Sequence, residues 1–272
     1  MLTYNRPQLI GHAIGSVYAQ TFEDWELIIV QDGSNPETAE QLKKWLVKEP
    51  RIRYFPRGKA GCIAEASNFG LEQARGEYIA ILDDDDYWGE PDKLARQVEF
   101  LDGHPEYVAC GGGYVAIDRE GRERGRFLKP ESDGEIRAHA LIANPIANST
   151  AMFRRVVNGA LSRYDSGMIG FADWDFWLTM GTRGKLYNFP CHMAHYALWE
   201  GSGSFRASKG NAVSAIRIVH RYRGRYKGYP IALILSCLNL CYACLPKPVR
   251  QVSYASLSAF KKALASSRRG AA

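Results

Sequence analysis

Four consecutive aspartates, Asp83 to Asp86, follow directly on the apolar run Tyr78-Ile79-Ala80-Ile81-Leu82 and lead into Tyr87-Trp88. Adjacent carboxylates repel one another, and they are not buried without compensation. A short apolar run of this kind reads as a strand buried in a parallel sheet. Together the two place dense negative charge at the C-terminal edge of a sheet, where open α/β folds bind ligands. A hard divalent cation tolerates such charge, because it takes oxygen ligands and brings phosphate oxygens with it. The competing reading is a solvated acidic turn in which Asp86 caps the next helix.

The flanking sequence predicts the elements that hold this cluster. Leu9, Ile10, Ala13, Ile14 and Val17 recur at helical spacing from Pro7 to Ala19, and Pro7 suits a first turn. Trp25 to Val30 reads as a buried strand, and Asp32-Gly33-Ser34-Asn35-Pro36 as a turn in which Asn35 caps the helix over 37–48. Ile52 to Phe55 predicts a short strand, Ala64 to Ala74 and Pro91 to Leu101 helices, and Tyr107 to Gly113 a further strand. This alternation predicts a doubly wound, mostly parallel sheet with helices on both faces. The second half is less regular, with strands expected at Asn148–Phe153, Leu186–Phe189 and Ala194–Trp199 and a helix at Ala172–Met180. A doubly wound fold normally opens with an apolar strand before its first helix. Here only Met1-Leu2-Thr3-Tyr4 precedes the helix, so the first strand is expected to be truncated. Either the chain start is truncated or the sheet lacks most of one strand, and in the second case a hydrophobic slot beside Ile28-Ile29-Val30 would be left partly uncovered.

The chain of 272 residues can bury a sizeable core as one large α/β domain or two small ones. With no repeat or long linker, residues 1–205 are read as one compact domain and 206–272 as a tail. Its net charge of +6 conceals an asymmetry. Residues 1–200 carry 22 Lys/Arg against 29 Asp/Glu, a balance of −7, whereas residues 201–272 carry 13 Lys/Arg and no acid. A basic tail suits an anionic surface. The six cysteines are irregularly spaced and do not read as a disulfide framework. Cys241 and Cys244 have a redox-type spacing, but inside an apolar run they are expected to be small buried hydrophobes. Met1-Leu2 leads straight into polar sequence, so no leader is expected and a cytoplasmic location follows as the default.

Thr3-Tyr4-Asn5-Arg6-Pro7, Gln20-Thr21-Phe22, Val30-Gln31-Asp32-Gly33-Ser34, Asn68, Gly76-Glu77-Tyr78-Ile79 and the aspartates occur in this order. Over roughly residues 1–205 this ordered set resembles the family-2 glycosyltransferases of the GT-A fold. The resemblance implies a nucleotide-diphosphate-sugar donor, UDP-sugar favoured, a Mg²⁺ or Mn²⁺ ion, and inversion by direct displacement. It implies an enzyme of hexosyltransferase type, with residues 1–110 as the nucleotide-binding half and 111–205 as the acceptor half. Tyr4 matches the aromatic that packs on the base, and Asp32 the carboxylate that accepts a hydrogen bond from it. Gln31 replaces the carboxylate usual before Asp32, and an amide can also donate. Arg57 falls where a basic residue often helps to hold base or phosphates, with a solvated arginine as the competing reading. Asn68 is expected to make a structural hydrogen bond. In the tetrad the resemblance implies that Asp85 is the metal ligand, that Asp84 contacts the ribose or sugar, and that Asp83 supports from the strand end.

Phe171-Ala172-Asp173-Trp174-Asp175 resembles the segment that supplies the catalytic base, and Asp173 matches the aspartate that takes the acceptor's proton. A first-turn helix carboxylate is the competing reading for Asp173. Asp175 points elsewhere on the helix, toward a cap or a salt bridge. Trp174 and Trp199 are weaker acceptor candidates, and Gly201 to Ser208 reads as a lid. His192 and His195 are expected to be structural strand residues. In the tail, the apolar run Tyr229 to Leu245 is too short to span a bilayer and is flanked by Arg221, Arg223, Arg225 and Lys227 before it and Lys247 and Arg250 after it. A helical hairpin lying on an anionic cytoplasmic membrane surface fits this pattern. A helical pair packed on the catalytic domain or on a partner subunit competes with it.

The expected activity is therefore metal-dependent, inverting transfer of a sugar to a hydroxyl of a saccharide or lipid-linked saccharide in cell-surface polysaccharide or lipopolysaccharide synthesis. The enzyme is expected to sit peripherally at the inner face of the cell membrane. A nucleotidyltransferase would want a glycine-rich basic loop near the N-terminus, and none is present. A non-catalytic sugar-nucleotide-binding or membrane-scaffolding protein is the alternative. Nucleic acid is not an expected partner, since the apolar tail would have no use there.

Overall fold

The computed structural model describes residues 1–58, 62–168, 170–198 and 209–245. The N-terminal half alternates β1 (Leu2–Thr3), α1 (Pro7–Tyr18), β2 (Leu27–Asp32), α2 (Pro36–Lys48), β3 (Ile52–Arg57), α3 (Ile63–Gln73), β4 (Tyr78–Ala80), α4 (Lys93–Gly103) and β5 (Tyr107–Ile117). Then come β6 (Glu123–Phe127), α5 (Asp133–His139), β7 (Met152–Arg154), β8 (Val156–Val157), β9 (Ala160–Leu161), α6 (Ala172–Arg183) and β10 (Lys185–Ala197). Two helices, α7 (Lys209–Arg221) and α8 (Tyr229–Cys244), follow. Strands β1, β2 and β3 form a parallel sheet, and β10, β5, β7 and β4 form a second one, in which β5 and β10 are parallel and β7 is antiparallel to both its neighbours. The doubly wound α/β architecture stands.

Local chemistry accounts for the elements. The predicted cap of α2 is present, with the Asn35 side chain accepting from the Glu37 amide at 2.8 Å and Pro36 in the first turn. Ile10, Ile14, Ile29, Leu42 and Leu101 are fully buried between helices and sheet. Each contributes about 1.5–3 kcal/mol by leaving water. Helix α5, not anticipated from hydrophobic periodicity, is held by a capping box between Ser132 and Glu135.

Two predicted strands are corrected. Asn148 to Thr150 is a 3₁₀ turn, and only Met152 to Arg154 is extended. The side chains of Ser149 and Thr150 bond to the acidic turn and to nearby backbone, which competes with a ladder. The two strands expected between Leu186 and Trp199 are one, β10, with a register shift between Phe189 and His192 where Pro190 lacks an N–H.

Leu2 and Thr3 pair with Val30 and Gln31, and the amino group of Met1 donates to the Ile28 carbonyl at 2.9 Å. That buried amino group is pushed down to about 6 by desolvation. Among the described residues no strand joins β2 to β4 below this Met1–Ile28 pair. Leu27, Ile28 and Val30 on one side, and Ile79, Ala80 and Leu82 on the other, wall an apolar slot.

The boundary at residue 205 is not a break in packing. Ile218 and Val219 of α7 and Ala232 of α8 share a cluster with Leu141, Trp174 and Leu178. Arg221 pairs with Asp175 at 2.9 Å, and the Tyr222 hydroxyl lies 3.1 Å from the same carboxylate, so Asp175 ties α7 to α6. Cys241 and Cys244, expected to be buried, are exposed on α8. Among the described residues no helix is long and apolar enough to cross a membrane.

Candidate active site

The tetrad leaves the end of β4 and alternates in direction. Asp83 and Asp85 face a cavity of 3310 Å³, Asp86 borders it from a buried position at 4% exposure, and Asp84, at 0%, is packed away from it. The volume exceeds that of an ordinary ligand pocket because the slot beside β2 runs into it.

Asp86 is the most firmly held member. The Ser149 hydroxyl donates to it at 2.5 Å and the Ala197 amide at 2.9 Å, so it ties the end of β10 to the acidic turn. Ser149 also accepts from the Asp83 amide at 3.1 Å. The Trp88 indole donates to the Ser149 carbonyl at 2.7 Å. Behind it the buried Lys93 ammonium sits 4.1 Å from the Trp88 ring centre and donates to Gln97 at 2.6 Å. Nothing in the sequence pattern pointed to this Ser149–Trp88–Lys93 support.

Arg6, part of the Thr3–Pro7 motif, has a role that the motif does not reveal. It precedes α1, and its guanidinium lies 2.5 Å from both Asp84 and Asp85. Asp84 thus faces Arg6 and not the cavity, away from the sugar side expected of it. Desolvation pushes Asp84 up to about 7, against the opposing pull of Arg6. Asp83 is pushed up to about 6, first by burial and then by the charge of Asp85. Burial and these neighbouring carboxylates push Asp86 well above the usual carboxylate range. The cluster is short of positive charge even with Arg6 in place.

The donor candidates flank this edge. Tyr4, 49% exposed, lies with its ring over Gly33 and lines the cavity beside Asp32. A Cβ on Gly33 would stand 3.2 Å from that ring, and φ there is +119°. Gln31 is 2% exposed and its amide is spent inside the fold, accepting from the Tyr54 hydroxyl and donating to the Asn35 carbonyl at 2.8 Å. Arg57 pairs with Asp32 across the strands and turns its guanidinium over the Phe69 ring at 4.4 Å, off the cavity wall. Asn68 exchanges two hydrogen bonds with the Tyr164 backbone, at 2.8 and 2.9 Å.

Asp173 stands in the first turn of α6 and lines the same cavity. Asn144 donates to it at 2.7 Å, and Lys129 in turn donates to the Asn144 carbonyl at 2.8 Å. Burial raises its pKa, while the amides of Trp174 and Asp173, and then Lys129, pull the other way. A raised carboxylate with a free approach from the cavity suits proton abstraction. Asn144 and Lys129 carry no sequence signature and emerge only from the fold. Trp174 is 8% exposed, with its indole N–H given to the Ala140 carbonyl at 2.7 Å, and reaches the cavity from within the helical cluster. His195 stacks on Tyr87 at 4.4 Å, a packing role. Trp199 and the segment Gly201 to Ser208 lie outside the described residues.

Among the described residues no three His, Cys, Asp or Glu side chains are grouped to hold a metal alone. Mg²⁺-type sites with phosphate ligands need only one or two carboxylates, and Asp85 with Asp83 meets that requirement.

The described fold is that of GT-A glycosyltransferases. It matches a mannosyltransferase from Pyrobaculum calidifontis in complex with GDP-Man and Mn²⁺ with a TM-score of 0.63, at 20% identity, over 97% of this chain and 78% of that one. It matches Staphylococcus aureus TarS 1-349 in complex with UDP-GlcNAc with a TM-score of 0.64, at 17% identity, over 89% and 69%. Residues 1–186 match the family model for glycosyl transferase family 2, and the chain belongs to that family. It is therefore a glycosyltransferase. Among curated proteins, the putative glycosyltransferase EpsE of Bacillus subtilis is 30% identical, over 75% of this chain and 72% of its own. An uncharacterized protein of Sinorhizobium fredii is 41% identical over 78% of this chain, which spans 22% of that protein.

Proposed function

We propose that this domain transfers a sugar, with inversion, from a nucleotide-diphosphate donor to a hydroxyl of a saccharide or lipid-linked saccharide acceptor. The observation that carries the reading is the shared cavity. Asp83 and Asp85 stand on one side of it, at the end of β4, and Asp173 stands on another, at the head of α6. Tyr4 and Asp32 would hold the base, and a UDP-sugar suits the single carboxylate there. Solved relatives bind UDP-GlcNAc in one case and GDP-Man in another. Arg57 neighbours Asp32 across the strands but turns its guanidinium over Phe69, so it is the weaker donor candidate.

Asp85, with Asp83 beside it, would hold a Mg²⁺ or Mn²⁺ ion, which when bound supplies positive charge to the leaving diphosphate. Arg6 keeps Asp84 and Asp85 in place and adds charge on the same side. Asp173 takes the proton of the acceptor hydroxyl as its oxygen bonds to the anomeric carbon. The bond from that carbon to the diphosphate oxygen breaks, and its electron pair leaves with the nucleoside diphosphate. Asn144 and Lys129 hold the carboxylate toward the cavity. Trp174 would wall the acceptor side, and Trp199 is kept as an acceptor candidate from the sequence alone. The domain division proposed is a catalytic unit over 1–205, with its nucleotide half to residue 110, and a tail beyond it. An acidic-lipid membrane surface at the inner face of the cell membrane is the proposed setting, with surface polysaccharide as the pathway.

The test is a panel of UDP-, GDP- and dTDP-sugars with Mn²⁺, run on the parent and on Asp173→Asn. The variant should lose transfer by about 10²–10⁴-fold while retaining donor affinity. Loss of donor binding in that variant would remove Asp173 from the role of base.

A further inference from the structure

Helix α8 is built inside out. Its buried residues are the small Ala232, Ser236 and Ala243. Its large apolar residues Ile231 and Ile234 face outward, at 59% and 60% exposure. A helix resting only on its own domain buries that stripe and exposes polar residues. At 16 residues it is about 24 Å long, short of the roughly 30 Å hydrocarbon layer, so it can lie along a bilayer but not cross it.

Charge selects among occupants of this face. Arg223, Arg225 and Lys227 are exposed in the turn leading into α8, and residues 201–272 contain no acid. A second copy of the same face would bring like charges together. An anionic bilayer offers both apolar depth and countercharge.

The helix also belongs to the cleft. Leu235, Leu238 and Tyr242 line the cavity that holds Asp173, with Ile142 and Phe171 continuing its apolar wall. We propose that the outward face of α8 rests on an anionic bilayer, and that the cleft takes an acceptor held in that bilayer. The polar head of the acceptor reaches Asp173, and its apolar chain lies along Leu235 and Leu238. This rests on the reading of Asp173 as the base.

Two measurements test it, neither needing turnover. In flotation, the protein should bind phosphatidylcholine vesicles containing phosphatidylglycerol and not pure phosphatidylcholine. Ile231→Gln with Ile234→Gln, neither of which lines the cavity, should cut binding about tenfold and leave hydrolysis of the soluble donor unchanged. Neutralising Arg223, Arg225 and Lys227 to Gln should do the same and remove the salt dependence. In fluorescence titrations below micelle formation, octyl glucoside should bind about tenfold or more tighter than methyl glucoside. Leu235→Gln with Leu238→Gln should erase that preference. Parent and variants that float alike, or self-association abolished by the Ile231/Ile234 changes without vesicle binding, would overturn the docking face. Equal affinity for the two glucosides would overturn the acceptor class. Failure of donor hydrolysis with these results intact would instead count against the transferase reading.

Discussion

The guanidinium of Arg6 donates to Asp85 at 2.5 Å across 79 residues of sequence, and it lies equally close to Asp84. One cation therefore serves the two central carboxylates of the acidic turn. Removing it takes from buried Asp84 the opposite charge nearest to it. Arg6→Met should destabilise the metal-free domain by about 3–5 kcal/mol. Mn²⁺ with UDP should then raise the melting temperature more in the variant than in the parent, as thermal unfolding would report. An equal ligand-induced rise in both would disprove a shared electrostatic role.

Ser149 is the knot of the acidic turn, bonded to Asp86, to the Asp83 amide and, through its carbonyl, to Trp88. Ser149→Ala removes the hydroxyl from a fully buried position and leaves Asp86 with one partner fewer. The expected cost is about 1–3 kcal/mol in urea unfolding. Nucleotide-sugar turnover should fall as well, because the metal-side carboxylates lose their support. Full stability in the variant would show that the turn is held by other contacts.

Buried Lys93 predicts a pH slope. Desolvation lowers its pKa from 10.5 to about 7 in the folded protein. Between those values the unfolded chain binds more protons than the folded one, so stability rises with pH from about 7 to about 10.5 and is flat below. Lys93→Met removes that term, and the parent should gain on the variant by about 1.4 kcal/mol per pH unit within the window. Urea melts of both proteins at several pH values between neutrality and mild alkalinity would measure this. Parallel profiles would mean that Lys93 is not desolvated.

Gly33 couples the backbone to the proposed base site. Its φ of +119° disfavours any side chain, and an added Cβ would press on the Tyr4 ring at 3.2 Å. Gly33→Ala should weaken UDP binding about tenfold by displacing Tyr4, with a stability cost of about 1 kcal/mol or more. Calorimetric titration with UDP separates the two effects. Unchanged affinity in a folded variant would remove Tyr4 from the base site.

Much of the fold was legible because its signals are local. The spacing of Ile10, Ala13, Ile14 and Val17 marks α1, and Asn35-Pro36 starts α2 where the chain does. The slot beside Ile28 and Val30 lies where β1 is only two residues long. Asn148 to Thr150 misled, because its polar side chains answer to the acidic turn and not to a neighbouring strand. The exposed Cys241 and Cys244 misled in the opposite way. An apolar run reads as buried, and nothing within it reveals which side faces the domain.

The sequence by itself determined that carboxylates crowd the end of β4, that Asp173 opens a helix, and that positive charge gathers in the tail. These are properties of residue order. The tertiary structure alone decided which aspartates face the cavity, that Arg6 crosses to Asp84 and Asp85, that Asn144 and Lys129 stand behind Asp173, and that α8 turns its large residues outward. Each of these depends on a partner far away in the chain. Burial and distance, which fix the charge state and direction of every one of these groups, exist only once those partners meet.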